Sequence, residues 1–336
     1  MQKITYLETP VYIQSYAAVG GAEEGRGPLG EKFDFIDEND LFGMKTWERA
    51  EGEMSRIALN IAMKKKNILP NELNLIVAGD LQNQCVASSG GLFTFGTPFL
   101  GLYGACSTCT EGLIVLSAML TASKHYSLGA SVTSSHNCAA ERQFRTPIEY
   151  GGQRTPTAQW TATAAGSFIL GKEKSGIKIS AFMPGKVVDG YTKDSSNMGA
   201  AMALSAFDSI CSFFSENDPE EFDLVLTGDL GAVGSSILEE MLSKNENIEG
   251  KFLADIHKDA GLILYDIENK DVHSGASGCG CSASVLSSFI LPEIESGRLE
   301  KIALLSTGAL MSTGSIGQGD HILGVAPLVV IEREAL

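Results

Sequence analysis

Positive charge is in short supply. Lys and Arg number 25 against 41 Asp and Glu, which leaves a formal net charge of −16. So acidic a chain argues against nucleic acid or anionic lipid as a broad-surface partner. No basic stripe offsets this, because Lys64-Lys65-Lys66 closes a predicted helix, where cations suit the dipole. Long apolar runs are missing too. The first residues, Met1 to Glu8, lack the apolar core of a secretory signal. No stretch reads as long enough to span a bilayer, so a soluble, cytoplasmic protein is expected. The seven cysteines, an odd count, are expected to be reduced rather than bridged. Cys106 and Cys109 have CxxC spacing, and Cys279-Gly-Cys281 lies far downstream. Cys109 falls in an apolar helix and neither pair has a zinc-knuckle sequence, so no metal centre is expected.

What is present is an α/β pattern. The 336 residues suggest two domains or two halves, and the 37 glycines punctuate strands and turns. Thr46 caps a predicted helix to about Lys66, with apolar residues recurring at three and four. The stretch Thr97 to Thr108 organises the rest. It reads as a short buried strand, a sharp turn at Gly104 and the start of an apolar helix through Ala122. Cys106 then sits at a helix mouth beside free backbone amides, where a thiol pKa falls and an oxyanion is held. The plainer alternative is a small buried residue at a tight turn.

From about residue 177 the pattern starts again. Phe222-Asp-Leu-Val-Leu-Thr-Gly-Asp-Leu230 echoes Leu73-Asn-Leu-Ile-Val-Ala-Gly-Asp-Leu81, and Ser277-Gly-Cys-Gly-Cys-Ser282 echoes Gly104-Ala-Cys-Ser107. Lys301 to Ser306 echoes the strand at Ala130, and Gly324 to Ile331 echoes Ala164 to Leu170. Four echoes in one order indicate a duplicated α/β half rather than a solenoid, with halves at 1–172 and 173–336.

A duplicated α/β chain with a cysteine at a strand-to-helix turn resembles the thiolase-like superfamily and, within it, the stage V sporulation protein AD family. The residues carrying that likeness are Glu24-Gly-Arg-Gly-Pro-Leu-Gly30, Ala78-Gly-Asp-Leu-Gln-Asn-Gln84, Gly104-Ala-Cys-Ser-Thr108 and Thr133-Ser-Ser-His-Asn137. Ala140-Glu-Arg-Gln-Phe-Arg145, Glu149-Tyr-Gly-Gly-Gln153 and Gly278-Cys-Gly-Cys-Ser282 continue it. The resemblance implies a five-layered αβαβα fold with two central mixed sheets, and a homodimer. It also implies a protein of sporulating bacteria that binds dipicolinic acid or its calcium chelate and helps load it into the developing spore. Such a protein would associate peripherally with membrane subunits of the SpoVA system at the forespore inner membrane. No cofactor is implied.

The superfamily's enzymes pair a nucleophilic cysteine with downstream His or Asn residues that activate the thiol and stabilise charge on a thioester carbonyl. Cys106 matches the nucleophile. The first partner position falls at Gly278-Cys279, so cysteine replaces it, and a second falls about at Gly228-Asp229. His321 lies near the place of the second cysteine of thiolases. Cysteine does not replace imidazole as a base near neutral pH, so acyl transfer is expected to be lost and the pocket kept. His136 is a base arriving from a new direction, or a turn histidine bonded to backbone. Asp80 and Asp229 end the duplicated strands, as ligand groups or helix caps. His125 and His257 read as surface groups.

A flat pyridine with two carboxylates needs donors at both ends. The amides from Cys106 to Thr108 would take one carboxylate, and Arg142, Arg145 or Arg154 would fork the other. Asn83, Ser107, Ser135 and His136 would complete the hydrogen bonding, with Cys279 nearby. An ionised Asp80 at the ligand would favour the calcium chelate over the bare dianion. The rival readings are a working acyltransferase or β-ketoacyl condensing enzyme using Cys106, and a scaffold with an empty pocket.

Overall fold

The structure is a computed structural model that describes residues 2–144, 154–268 and 271–335. Among the described residues the central sheet has eleven strands, ten of them along its main path: β1 (Thr5–Gly20), β2 (Leu75–Gly79), β3 (Phe99–Leu102), β4 (Leu128–Ser135), β5 (Ala164–Gly171), β6 (Ile177–Met183), β7 (Leu224–Thr227), β8 (His257–Asp259), β9 (Lys301–Leu305) and β10 (Leu328–Arg333), with the short strand Phe35–Ile36 beside β1. The principal helices are α1 (Trp47–Lys66), α2 (Val86–Leu92), α3 (Thr108–Ala122), α4 (Asn137–Phe144), α5 (Met198–Phe214), α6 (Gly231–Ser243) and α7 (Cys279–Val285).

The strand order is β8-β7-β9-β10-β6-β1-β5-β4-β2-β3. The same pattern occurs twice in it. In the first half β3, β2 and β4 are parallel, β5 runs against β4, and β1 runs against β5. In the second half β8, β7 and β9 are parallel, β10 runs against β9, and β6 runs against β10. The two five-stranded sets meet edge to edge, because β1 also pairs antiparallel with β6, from Thr5 opposite Phe182 to Tyr12 opposite Lys178.

Alternation along the strands sets the layers. Leu75 and Val77 of β2 share one core with Leu224, Leu226, Ile302 and Leu304 of the second half, and with Leu113 and Leu116 of α3 and Val285 of α7. Their neighbours Ile76 and Ala78 face away, against Leu59 and Ala62 of α1. Val225 and Ala303 face away in the other half, against Ala203 and Ala206 of α5. The central helices therefore lie between two sheet faces, with α1 and α5 outside: five layers. This explains α3's composition. The segment Ala105–Ala122 has a mean hydropathy of 1.4 over 18 residues, enough by length to cross a membrane, yet 67% of it is buried in the protein.

Local signals behave as the chemistry requires. Thr46 Oγ1 accepts from Arg49 N at 3.4 Å at the start of α1, and Asn67 ends it in the left-handed region at φ 60°. One expectation is corrected. β3 is not buried, because it is the last strand of the sheet and pairs only with β2. Its Phe99 and Leu100 are 37% and 40% exposed.

Candidate functional site

β3 runs into a tight elbow. Gly104 has no space for a side chain, since a Cβ there would lie 2.5 Å from both Ser107 Oγ and Glu111 Oε2. Ala105 holds φ at 53°, a left-handed conformation that costs a residue with a Cβ about 1 kcal/mol or more. Hydrogen bonds inside the turn enforce it. Ser107 Oγ donates to the Gly104 carbonyl at 2.6 Å, and Thr108 Oγ1 to the Ala105 carbonyl at 2.7 Å. The backbone amides do the same, Ser107 N to Gly104 O at 3.1 Å and Thr108 N to Ala105 O at 3.3 Å. Of the amides expected to lie free at this helix mouth, those of Ser107 and Thr108 are therefore occupied.

Cys106 is 6% exposed. Its thiol pKa is pushed well above the usual value, first by burial and then by the charge of Asp229; the amide of Gly278 opposes this. The sequence expectation of a lowered pKa is reversed, because burial and a nearby carboxylate outweigh the dipole.

The second half supplies the sulfur's neighbours. Asp229 follows β7, fully buried. One carboxylate oxygen accepts from Thr307 Oγ1 at 3.0 Å and the other from Gly278 N at 2.9 Å, and its charge acts on the nearby Cys106 thiol. Burial pushes its pKa up to about 7. Cys279 opens α7, and its sulfur donates to the Ser134 carbonyl at 3.0 Å. It packs in one cluster with Cys106, Leu81 and Ala140, and burial raises its thiol pKa well above the usual range. No imidazole reaches the sulfur among the described residues.

Above Cys106 lies a cavity of ≈ 40 Å³ walled by Tyr103, Phe144, Thr161, Ser277 and Met311 among others. That volume holds about three water molecules. Ser277 Oγ is buried without a hydrogen-bond partner, so it is a donor in waiting on a wall that also carries Tyr103, Glu141 and Thr161.

Most of the ligand residues expected from the sequence lie elsewhere. Asp80 is fully buried and caps α2: its oxygens accept from Gln82 N at 2.8 Å, Ser88 N at 2.8 Å and Ser88 Oγ at 2.6 Å. Asn83 is exposed, with its amide on Gln143. Ser107 is bound within the elbow, and Ser135 donates to the Ala162 carbonyl at 2.7 Å. His136 is buried and donates from Nε2 to the Asp40 carbonyl at 2.8 Å; burial lowers its pKa. Arg142 pairs with Glu48 and lies over Trp47. Arg154 donates to the carbonyls of Gln159 and Asp271 and lies over Trp160. Neither arginine lines the cavity. Arg145 lies outside the described residues. His321 is exposed and pairs with Asp189 at 3.1 Å. His257, read as a surface group, is buried at 2% exposure.

The site's real polar groups were partly visible in sequence. Asp229 stood out as the twin of Asp80, but the identical Gly-Asp-Leu ends concealed different roles. In the second half the capping falls to Asp259, which accepts from Leu230 N and Gly231 N, and Asp229 is released toward Cys106. Ser277 carried a signal in its place just before Gly278-Cys279. Tyr103 and Thr161 carried none.

Known proteins agree with this architecture. Solved structures with the same fold include 3-oxoacyl-(acyl-carrier-protein) synthase III from Aquifex aeolicus VF5, at TM-score 0.57 and 11% identity over 95% of this chain and 99% of that one. An OleA variant from Xanthomonas campestris matches at TM-score 0.59 and 13% identity, over 97% of this chain and 100% of the other. The stage V sporulation protein AD of Bacillus subtilis (strain 168) is 38% identical over 329 residues, 97% of this chain and 96% of that protein. The profile of the Stage V sporulation protein AD family matches residues 1–332. This chain belongs to the stage V sporulation protein AD family, on a thiolase-like fold.

Proposed function

We propose that this sporulation-family protein is a non-catalytic receptor for dipicolinic acid, taken up in the cavity over Cys106. The surroundings of the sulfur carry this reading. A thiol raised in pKa, facing Asp229 and Cys279, stays protonated near neutral pH and is a poor nucleophile. What remains is a hollow with hydrogen-bonding groups at Tyr103, Thr161 and Ser277 around apolar walls, which suits a flat ring with polar edges. A pyridine dicarboxylate is larger than three waters, so binding requires the walls to move apart. The protein would act as a homodimer beside the SpoVA membrane subunits at the forespore inner membrane.

Titration calorimetry with dipicolinate, with and without calcium, tests the receptor. Saturable heat that is lost when Ser277→Leu fills the cavity is expected, and no heat under either condition rejects it. The rival acyltransferase would need Asp229 as its base, since that is the carboxylate whose charge acts on the sulfur. Incubation with acyl-CoA donors followed by intact-mass measurement is expected to leave the mass unchanged. A stable acyl adduct on Cys106 would establish the rival instead.

A further inference from the structure

The elbow divides two cavities. Ala105 and Cys106 wall the hollow already described, and Gly104 and Ser107 wall a second one of ≈ 380 Å³. The second half contributes to both by alternation along the strand Gly308–Leu310 and the residue after it. Ala309 and Met311 face the first cavity, and Leu310 faces the second. Pro184 and Gly185, just after β6, and Pro327, just before β10, complete the second wall. Tyr103, 44% exposed, stands in the walls of both. The second cavity falls in the range of roughly 300–1,000 Å³ that small-ligand sites occupy.

One side chain in this second cavity lacks its partner. Glu111, in the first turn of α3, has a buried carboxylate oxygen, Oε2, with no hydrogen bond. It lies over Gly104, where a Cβ would come within 2.5 Å of it. Donors of the elbow are committed elsewhere. Gly104 N donates to Thr108 Oγ1 at 3.1 Å, and Ser107 N and Oγ both donate to the Gly104 carbonyl. No Lys, Arg or His lines the cavity among the described residues. Its other walls are apolar, with Ile114 and Val115 from α3 facing Leu310 and Pro327. Burial raises the carboxyl pKa, while a place in the first turn of a helix favours the charged form. A buried acceptor left unpaired is costly, and packing of the elbow gives no reason to keep an acid there.

We propose that this second cavity binds an organic ammonium ion, a protonated amine on a short apolar stem, with Glu111 as its counter-ion. The ammonium group supplies the donor that Oε2 lacks and opposes its charge. Apolar walls take the stem, and the Tyr103 ring adds an aromatic face to which a cation is attracted. A net charge of −16 draws cations toward the surface as a whole. Each alternative ligand fails on one count. An anion is repelled by the carboxylate, and a bare divalent metal ion needs several oxygen ligands where the cavity offers one carboxylate. The site goes beyond the receptor reading and requires neither Cys106 nor dipicolinate.

Titration calorimetry of the full chain with hexylammonium chloride tests the site, with hexanoate as the anionic control. At about pH 8 the amine is charged and a carboxyl is ionised. Saturable heat with hexylammonium and none with hexanoate is expected. Glu111→Gln keeps the shape and removes the charge, and it should weaken binding about tenfold or more. Val115→Phe narrows the cavity from α3 and keeps the charge, and it should abolish binding. Neither residue lines the cavity over Cys106. No heat with hexylammonium, or equal affinity in wild type and Glu111→Gln, would overturn the proposal. Should Glu111→Gln not fold, Val115→Phe decides alone, and undiminished binding rejects the site. Light scattering coupled to size exclusion covers one other occupant. A dimer dissociated by Glu111→Gln, with no amine heat in wild type, would put a cation of a second copy on the carboxylate and reject the small-ligand site. Dipicolinate is absent throughout, so a failure of the receptor leaves this result readable.

Discussion

At the scale of single residues, Asp229 governs what the site tolerates. Its pKa of about 7 comes from burial that its hydrogen bonds only partly offset. A dianion binds better when this group carries a proton, so affinity for free dipicolinate should fall as pH rises through about 7. A calcium chelate brings a cation and prefers the ionised group, which reverses the trend. Calorimetry at pH values on either side of neutrality distinguishes the two forms, and Asp229→Asn should flatten whichever slope is found. The same shift links to stability. The carboxyl ionises near pH 4 when unfolded and near pH 7 when folded, so its contribution is intact below about pH 4 and is lost progressively up to about pH 7. Asp229→Asn should therefore gain about 4 kcal/mol relative to wild type on going from acid to slightly alkaline solution, read from urea midpoints. Thiol chemistry should follow burial: Cys85, Cys138 and Cys211 are partly exposed whereas Cys106 is buried, so iodoacetamide should modify those three first.

At the scale of elements, the elbow and the start of α7 are the parts least free to vary. Gly278 has φ 97°, and a Cβ there would sit 2.7 Å from Ser135 Oγ. Its amide is also the donor to Asp229. Gly278→Ala should cost about 1–3 kcal/mol through backbone strain and crowding and should loosen the Cys106–Asp229 pair, visible as a lower urea midpoint together with faster Cys106 alkylation. The two Gly-Asp-Leu ends illustrate how one local pattern serves two purposes. Asp80 satisfies its own helix start, while its twin is freed because a carboxylate from another strand caps α6 in its place.

At the scale of the whole molecule, the edge at β3 is exposed and is where the proposed homodimer would join. Phe99, Leu100 and Tyr103 are 37%, 40% and 44% exposed beside unpaired strand backbone, with Phe93 at 74% nearby. A homodimer joined there should become a monomer on Leu100→Lys, as measured by light scattering coupled to size exclusion. Elements and duplication were legible from sequence because they depend on periodicities of two and of three to four residues. α1 spans Trp47–Lys66 behind its Thr46 cap, as its apolar periodicity predicts. The site was less legible. Cys106 and its elbow were found, but Arg142, Arg154, Asp80 and Asn83 make their hydrogen bonds or ion pairs away from the cavity, and His136 bonds through Nε2 to the Asp40 carbonyl. His257 looked like a surface group because its polar neighbours in sequence say nothing about the sheet that covers it.

By itself, then, the amino-acid order determined the strands, the helices, their repetition and the cysteine turn, since these follow from local periodicity and turn chemistry. Only the tertiary structure decided that Asp229, more than a hundred positions away, meets the Cys106 thiol, and that no histidine does. Contacts between halves depend on how the two halves of the sheet close over the central helices, and burial there sets the charge states on which the chemistry of the site depends.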